Sequence, residues 1–279
     1  MNIKIIIPIL NPEKVFFTKN LPMLKKQSIK ADIILINSGD KIPEDLSCQI
    51  INIDKKDFNH ANTRNLALSY DADYYIFMTQ DAKPFDESLV QNLIEGFAKD
   101  NQTVVSYARQ LAYKNANPIE VFARNTNYPD ISMLKSKDDL PILGIKTFFS
   151  SDSCAAYDAK YFRSVNGFKK NLNTNEDMEY CARALMDGKK AFYNSNAKVY
   201  HSHDFSLIDI WKRYKEIGKF FKENKWILEI VNTYSKAEST GIKQALNELK
   251  YIIRYNPKYI FKSIVFSITK FVAYKIAFK

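Results

Sequence analysis

The sequence predicts an α/β protein built on a mixed, mainly parallel sheet flanked by helices, with a helical C-terminal extension. Short, nearly unbroken apolar runs alternate with helix-like stretches through the first 100 residues, as expected of strands covered on both faces. Several runs end directly in polar residues, and ligands in open parallel sheets bind beyond the carboxyl ends of strands. After about residue 205 the pattern turns wholly helical.

In order, "IKIIIPI" (3–9) and "ADIILINSG" (31–39) read as strands, with helical spacing in "VFFTKNLPMLKKQ" (15–27) between them. "CQIINI" (48–53) is a third strand, "NTRNLALSY" (62–70) a helix and "YYIFMTQ" (74–80) a fourth strand. "DESLVQNLIEGFAKD" (86–100) places Leu89, Leu93 and Phe97 on one helix face, with Asp86 as its N-cap. A boundary near 205 divides the chain into a domain over 1–205, with halves of about 1–100 and 101–205, and a basic helical extension over 206–279.

With 279 residues, 46% hydrophobic content, 19 Phe and 17 Tyr against 7 Gly, the chain can fill a large core and is neither collagen-like nor low in complexity. A net charge of +10 points to an anionic partner: nucleic acid, an anionic membrane surface or a phosphorylated small molecule. Residues 241–279 carry eight Lys or Arg against one acid, Glu248, so much of the excess sits at one end. Nucleic-acid binding predicts basic residues interleaved with stacking aromatics across the fold, so this distribution disfavours it. Cys48, Cys154 and Cys181 show no CxxC spacing, and "MNIKIIIPIL" has too short an apolar run for a signal peptide. Both suggest reduced thiols in a cytoplasmic protein. Lys262, Lys270 and Lys275 interrupt "IFKSIVFSITKFVAYKIAF" (260–278), which therefore does not read as a membrane span.

The chain has three histidines, His60, His201 and His203. On an extended segment His201 and His203 point to one side, where they could reach one metal or phosphate or make ordinary hydrogen bonds. Asp40 and Asp81 follow predicted strand ends and are turn residues or ligands. In "TNEDMEY" (174–180), Glu176 and Asp177 open a helix; they either complement its dipole or supply a proton acceptor for a hydroxyl. Arg64 offers a planar donor fork suited to phosphate near a predicted helix N-terminus. No GxxxxGK[ST] or GxGxxG occurs, which disfavours kinase-type and dinucleotide-type phosphate cradles.

In order along the chain, "FNHANTRNLAL", "FMTQDAKP", "FARNTNYP", "GIKTFFSSDSCAAY", "VNGF", "NEDMEY" and "VYHSHDFS" resemble the family-2 glycosyltransferases, within them the bacterial rhamnosyltransferase-like branch. The resemblance covers about residues 3–220. It implies a GT-A fold with a Rossmann-like nucleotide-sugar half, an acceptor half, a divalent cation (Mg²⁺ or Mn²⁺) and inversion at the anomeric carbon. By position, Asp81 matches the last acid of the metal-binding DxD element, with Thr79 in place of the first, and His203 or His201 would complete the ligand set. Asp177 matches the base. Asp152 and Glu176 would orient sugar or acceptor, Arg64 would face the diphosphate, and His60 and Gln80 would contribute to substrate binding. Pro8, Asn11, Asn37, Ser38 and Asp40 would hold the nucleoside. Asn37, and Ala61-Asn62 where relatives have Gly-Gly, depart from the family pattern. The implied donor is dTDP-rhamnose, with a UDP-hexose as alternative, and the acceptor is a growing, lipid-linked bacterial surface glycan.

As a helix, 260–278 gathers Ile260, Phe261, Ile264, Val265, Ile268, Phe271, Val272 and Ile276 on one arc, with Lys262 and Lys270 opposite and Phe266 among the polar positions. That arc suits an anionic membrane interface, which would place the protein on the inner face of the cell membrane; packing on its own domain or in a homodimer is the alternative. Non-catalytic competitors are a basic membrane- or nucleic-acid-binding protein and an inactive sugar-binding relative.

Overall fold

The computed structural model describes residues 1–43, 45–234 and 237–279. The chain runs β1 (Ile3–Ile9), a π-helical turn (Phe16–Asn20) leading into α1 (Leu21–Lys25), β2 (Asp32–Asn37), β3 (Gln49–Asn52) and α2 (His60–Arg64) with a 3-10 turn after it. It continues through β4 (Tyr74–Met78), β5 (Lys83–Pro84), α3 (Leu89–Glu95), β6 (Thr103–Leu111), α4 (Pro118–Asn127), β7 (Met133–Lys135) and α5 (Leu140–Leu143). Then come β8 (Cys154–Asp158), α6 (Ala159–Ser164), α7 (Glu176–Met186) and β9 (Lys190–Tyr200). The helices α8 (Leu207–Glu223), α9 (Lys225–Tyr234), α10 (Ala237–Tyr255) and α11 (Ile260–Phe278) follow.

The sheet order is β3-β2-β1-β4-β8-β6-β9-β5, with β7 also paired to β9. β1, β2, β3 and β4 are parallel to one another, β6 is parallel to β9, and β8 runs antiparallel between β4 and β6. The mixed, mainly parallel sheet is as the sequence predicts. Its unbroken apolar runs have a direct cause. Ile3, Ile5, Ile7 and Ile9 of β1 join one core, while Ile6 joins a second with Phe77 and Tyr157. Successive side chains point to opposite faces, and both faces are covered. Each fully buried side chain of this size contributes roughly 1.5–3 kcal/mol.

Two local expectations change. β4 ends at Met78, short of the predicted 80, because the chain turns there: Ala82 N donates to Thr79 O at 3.1 Å. Asp81 is thus a turn residue at a strand end. Asp86 is not the N-cap of α3; Ser88 is, and Asp86 Oδ1 instead accepts from Ser88 N and Oγ one turn earlier.

The chain after 205 is helical among the described residues. α11 lies along α8 so closely that a Cβ on Gly218 would stand 2.5 Å from Tyr274 O. Phe266, placed among polar positions by the sequence, is buried with Ile119, Ile210 and Ile252. Ser263 Oγ donates to the buried Glu248 at 2.7 Å, Lys270 pairs with the same carboxylate, and Lys262 pairs with Asp204. The more polar arc of α11 therefore packs on the protein. The apolar arc faces outward, with Phe261 80%, Ile268 58%, Phe271 58% and Ile276 56% exposed. No helix of the described residues is long and apolar enough to cross a membrane.

Candidate functional site

Because β8 is antiparallel to its neighbours, its amino end reaches the same sheet edge as the carboxyl ends of β4, β6 and β9. Residues 79–81, 150–153 and 201–203 meet there. His201 N donates to Leu111 O at 2.9 Å, and Ser202 Oγ accepts from Tyr113 N, so the chain stays tied to the end of β6 beyond β9. Both imidazoles consequently converge on Asp81. His201 Nε2 lies 3.4 Å from Asp81 Oδ1, His203 Nε2 3.6 Å from Oδ2, and the two ring nitrogens are 3.1 Å apart. One ligand atom from each residue falls within 4.8 Å of the others. Burial would raise the Asp81 carboxyl, but His201, Thr79 and His203 together outweigh it and hold the group well below the usual carboxylate range. Burial, reinforced by His201, lowers the His203 imidazole to about 4.

A second group lies around the start of α7. Asp177 accepts from Asp152 N at 3.0 Å through Oδ2 and from Met178 N at 2.7 Å through Oδ1, and Ser150 Oγ donates to its carbonyl. Beneath it Arg64, 2% exposed, donates to Glu176 at 2.9 Å and sits 3.4 Å from Asp152 Oδ2. Tyr157 OH donates to Asp152 Oδ1 at 2.6 Å. One guanidinium thus serves two buried carboxylates, with the part-buried Asp177 beside them. Burial first, and Glu176 second, raise the Asp177 carboxyl to about 6. Asp152 is pushed well above its ordinary value by burial despite Arg64.

These positions revise the geometry expected for several residues. Arg64 ends α2 rather than lying at a helix N-terminus, and its guanidinium pairs with Glu176 and Asp152. Asp152 and Glu176 are buried beside Asp177, whose Oδ2 accepts from Asp152 N. His60 Nδ1 is 3.1 Å from Arg64 Nη1; because arginine only donates, that nitrogen accepts. Burial, with Arg64 adding to it, lowers this imidazole to about 4.

The carboxyl ends of β1 and β2 form a third group. Asn11 and Asp40 bond reciprocally, Nδ2 to Oδ2 at 2.9 Å and Asp40 N to Asn11 Oδ1 at 2.7 Å. A Cβ on Gly39 would meet Asn11 Oδ1 at 2.2 Å, so only glycine allows this approach. Asn37 is buried and donates to Asp40 O and Asn52 Oδ1, and Ser38 Oγ donates to Ile9 O. Gln80 brackets Leu10, accepting from its N at 2.7 Å and donating to its O at 3.2 Å. This ties the end of β1, beside Pro8, to the Asp81 turn.

Sequence reasoning passed over Tyr157, Ser151, Gln110 and Arg124. Gln110, 2% exposed, bonds both His201 and Ser151. None shows in periodicity, although Arg124 lies in "FARNTNYP" and Tyr157 and Ser151 in "GIKTFFSSDSCAAY".

The chain is 37% identical over 285 residues to the O-antigen chain rhamnosyltransferase RfbN of Salmonella typhimurium, covering 99% of this chain and 89% of that protein. It is 32% identical to the O-antigen chain rhamnosyltransferase WbaN of Salmonella anatum, covering 90% of this chain and 81% of that protein. No protein-family model matches. Among solved structures, the mannosyltransferase PcManGT of Pyrobaculum calidifontis, in complex with GDP-Man and Mn²⁺, superposes with a TM-score of 0.65 at 13% identity, covering 98% of this chain and 87% of that one. S. aureus TarS 1-349 with UDP-GlcNAc gives 0.58 at 11% identity, covering 100% and 90%. These last two likenesses concern the fold, which is of GT-A type.

Proposed function

We propose, from the premise that the chain belongs to the O-antigen chain rhamnosyltransferases, that this glycosyltransferase moves rhamnose from dTDP-rhamnose to a growing surface glycan with inversion at the anomeric carbon. The observation that carries the mechanism is the meeting of a metal-ligand set and a proton acceptor raised to about 6 on one sheet edge.

Asp81, His201 and His203 would hold a divalent ion. A carboxylate oxygen and two imidazole nitrogens within 4.8 Å of one another fit this, and two nitrogen donors favour Mn²⁺ over Mg²⁺. A bound ion would supply positive charge to the departing diphosphate. Asp177 takes the proton of the acceptor hydroxyl as that oxygen bonds to the anomeric carbon and the bond to the diphosphate breaks. Its oxygens are fixed by two backbone N–H groups, which orient it without occupying every lone pair. Arg64, Asp152 and Glu176 hold that base from beneath.

Residues 1–100 would bind the donor, with Pro8, Asn11, Asn37, Ser38, Asp40 and Gln80 around the nucleoside, while 101–205 would bind the acceptor. The extension over 206–279 would rest on the cytoplasmic face of the cell membrane, where a lipid-linked acceptor resides. Its support is the outward apolar arc of α11 beside a basic sequence.

The test is transfer and donor hydrolysis across a panel of nucleotide sugars with Mn²⁺, Mg²⁺ or a chelator. dTDP-rhamnose with Mn²⁺ should be turned over, and chelation or Asp81→Ala should lower the rate about 10³-fold, several kcal/mol of charge stabilisation. Turnover of a UDP-hexose alone would refute the donor assignment, and full activity in chelator would refute the metal.

A further inference from the structure

We propose that Gln110 is a positioning residue that fixes the ring tautomer of His201, leaving the Nε2 lone pair aimed into the Asp81 cluster, where in the metal-free chain it accepts from His203 Nε2 3.1 Å away, and that Arg124 and Glu120 set the orientation of Gln110. This rests on the metal reading above. Arg124 Nη1 lies 2.6 Å from Gln110 Oε1. Arginine has no acceptor atom, so the amide end facing it is the oxygen. His201 Nδ1 lies 2.8 Å from that same oxygen. An amide oxygen cannot donate, so Nδ1 carries the proton and, in the neutral ring, Nε2 carries the lone pair. The other end of the amide is consistent, since Gln110 Nε2 donates to Ser151 Oγ at 2.8 Å. Arg124 is anchored in turn by Glu120, one helical turn earlier in α4, with Nε donating to Oε1 at 2.7 Å.

Gln110 and His201 are 2% and 6% exposed, so water offers little substitute for a lost partner. Without this acceptor the imidazole is free to protonate Nε2, which turns a metal ligand into a donor aimed at the site. The same amide bonds Ser151, next to Asp152, whose N–H donates to Asp177. One side chain thus touches both the ligand set and the loop that holds the base, and its identity follows from needing an acceptor on one end and a donor on the other.

Two readouts test this. Long-range ¹H–¹⁵N NMR of the metal-free full chain, in mildly alkaline solution, should show His201 protonated at Nδ1; protonation at Nε2 would overturn the proposal whether or not any metal binds. Mn²⁺ titration followed by electron paramagnetic resonance should show affinity falling about 10- to 100-fold in Gln110→Met, the usual effect of losing such an outer partner. Gln110→Glu, which keeps an acceptor toward His201, should not show that loss. Arg124→Met should give a mixed His201 tautomer in a chain whose Gln110 is intact. Equal Mn²⁺ affinity in Gln110→Met and wild type would refute the positioning role. Failure of wild type to bind Mn²⁺ would instead refute the metal reading, while the tautomer result in the metal-free chain still decides that of Gln110.

Discussion

Asp81 and Asp177 lie at one sheet edge and are shifted in opposite directions. Asp81 is half exposed beside two imidazoles, and its carboxyl is held low. Asp177 sits over two more carboxylates sharing one guanidinium, and its carboxyl is raised to about 6. The side-chain chemistry is identical, so the surroundings make the difference, and it fits the roles proposed above: a carboxyl held low suits a ligand, and one raised to about 6 suits a base.

The strongest way to break this contrast is to remove the titration of one member. Asp177→Asn should lower kcat by about 10²–10⁴-fold, the range for a lost general base, with donor affinity unchanged. Isothermal titration with donor, beside transfer kinetics, checks the split. Next in size, Arg64→Met leaves the buried carboxylates without their cation and should cost about 3–5 kcal/mol in urea unfolding. A raised carboxyl means that the native chain keeps a proton the unfolded chain releases between the ordinary carboxyl value and about 6. Stability therefore falls as pH rises through that window. The fall should be steeper in Arg64→Met.

A smaller effect sharpens the contrast by pH alone. Transfer should decline about tenfold per pH unit below about 6, as the base protonates, and this limb should vanish in Asp177→Asn. Smallest of all, Ile268→Glu or Phe271→Glu on α11 should leave transfer to a soluble acceptor intact and weaken binding to anionic vesicles about tenfold, the cost of one exposed apolar side chain. Unchanged vesicle binding in both would sink the membrane contact while sparing the chemistry.

Much of this candidate site is legible in the sequence because the residues are marked locally. Asp81 ends an apolar run, His201 and His203 alternate, and Glu176-Asp177 open a helix. The supports are not local. Arg64 meets Glu176 across 112 positions, and Gln110 meets His201 across 91. No periodicity records that Arg64 is spent on carboxylates, since the same fork would serve a phosphate equally well.

The sequence by itself determined the layered α/β body, since strands with both faces buried must be apolar throughout. It also determined the apolar arc of the last helix, because that arc is a property of spacing. Which way the arc points was decided only by the tertiary structure. Phe266, Ser263 and Lys270 find partners in Ile210, Ile252 and Glu248. Those contacts turn the more polar side of α11 inward and leave Phe261, Ile268 and Phe271 outside. A helix packs by the neighbours available to it, and those neighbours come from parts of the chain that a local pattern cannot see.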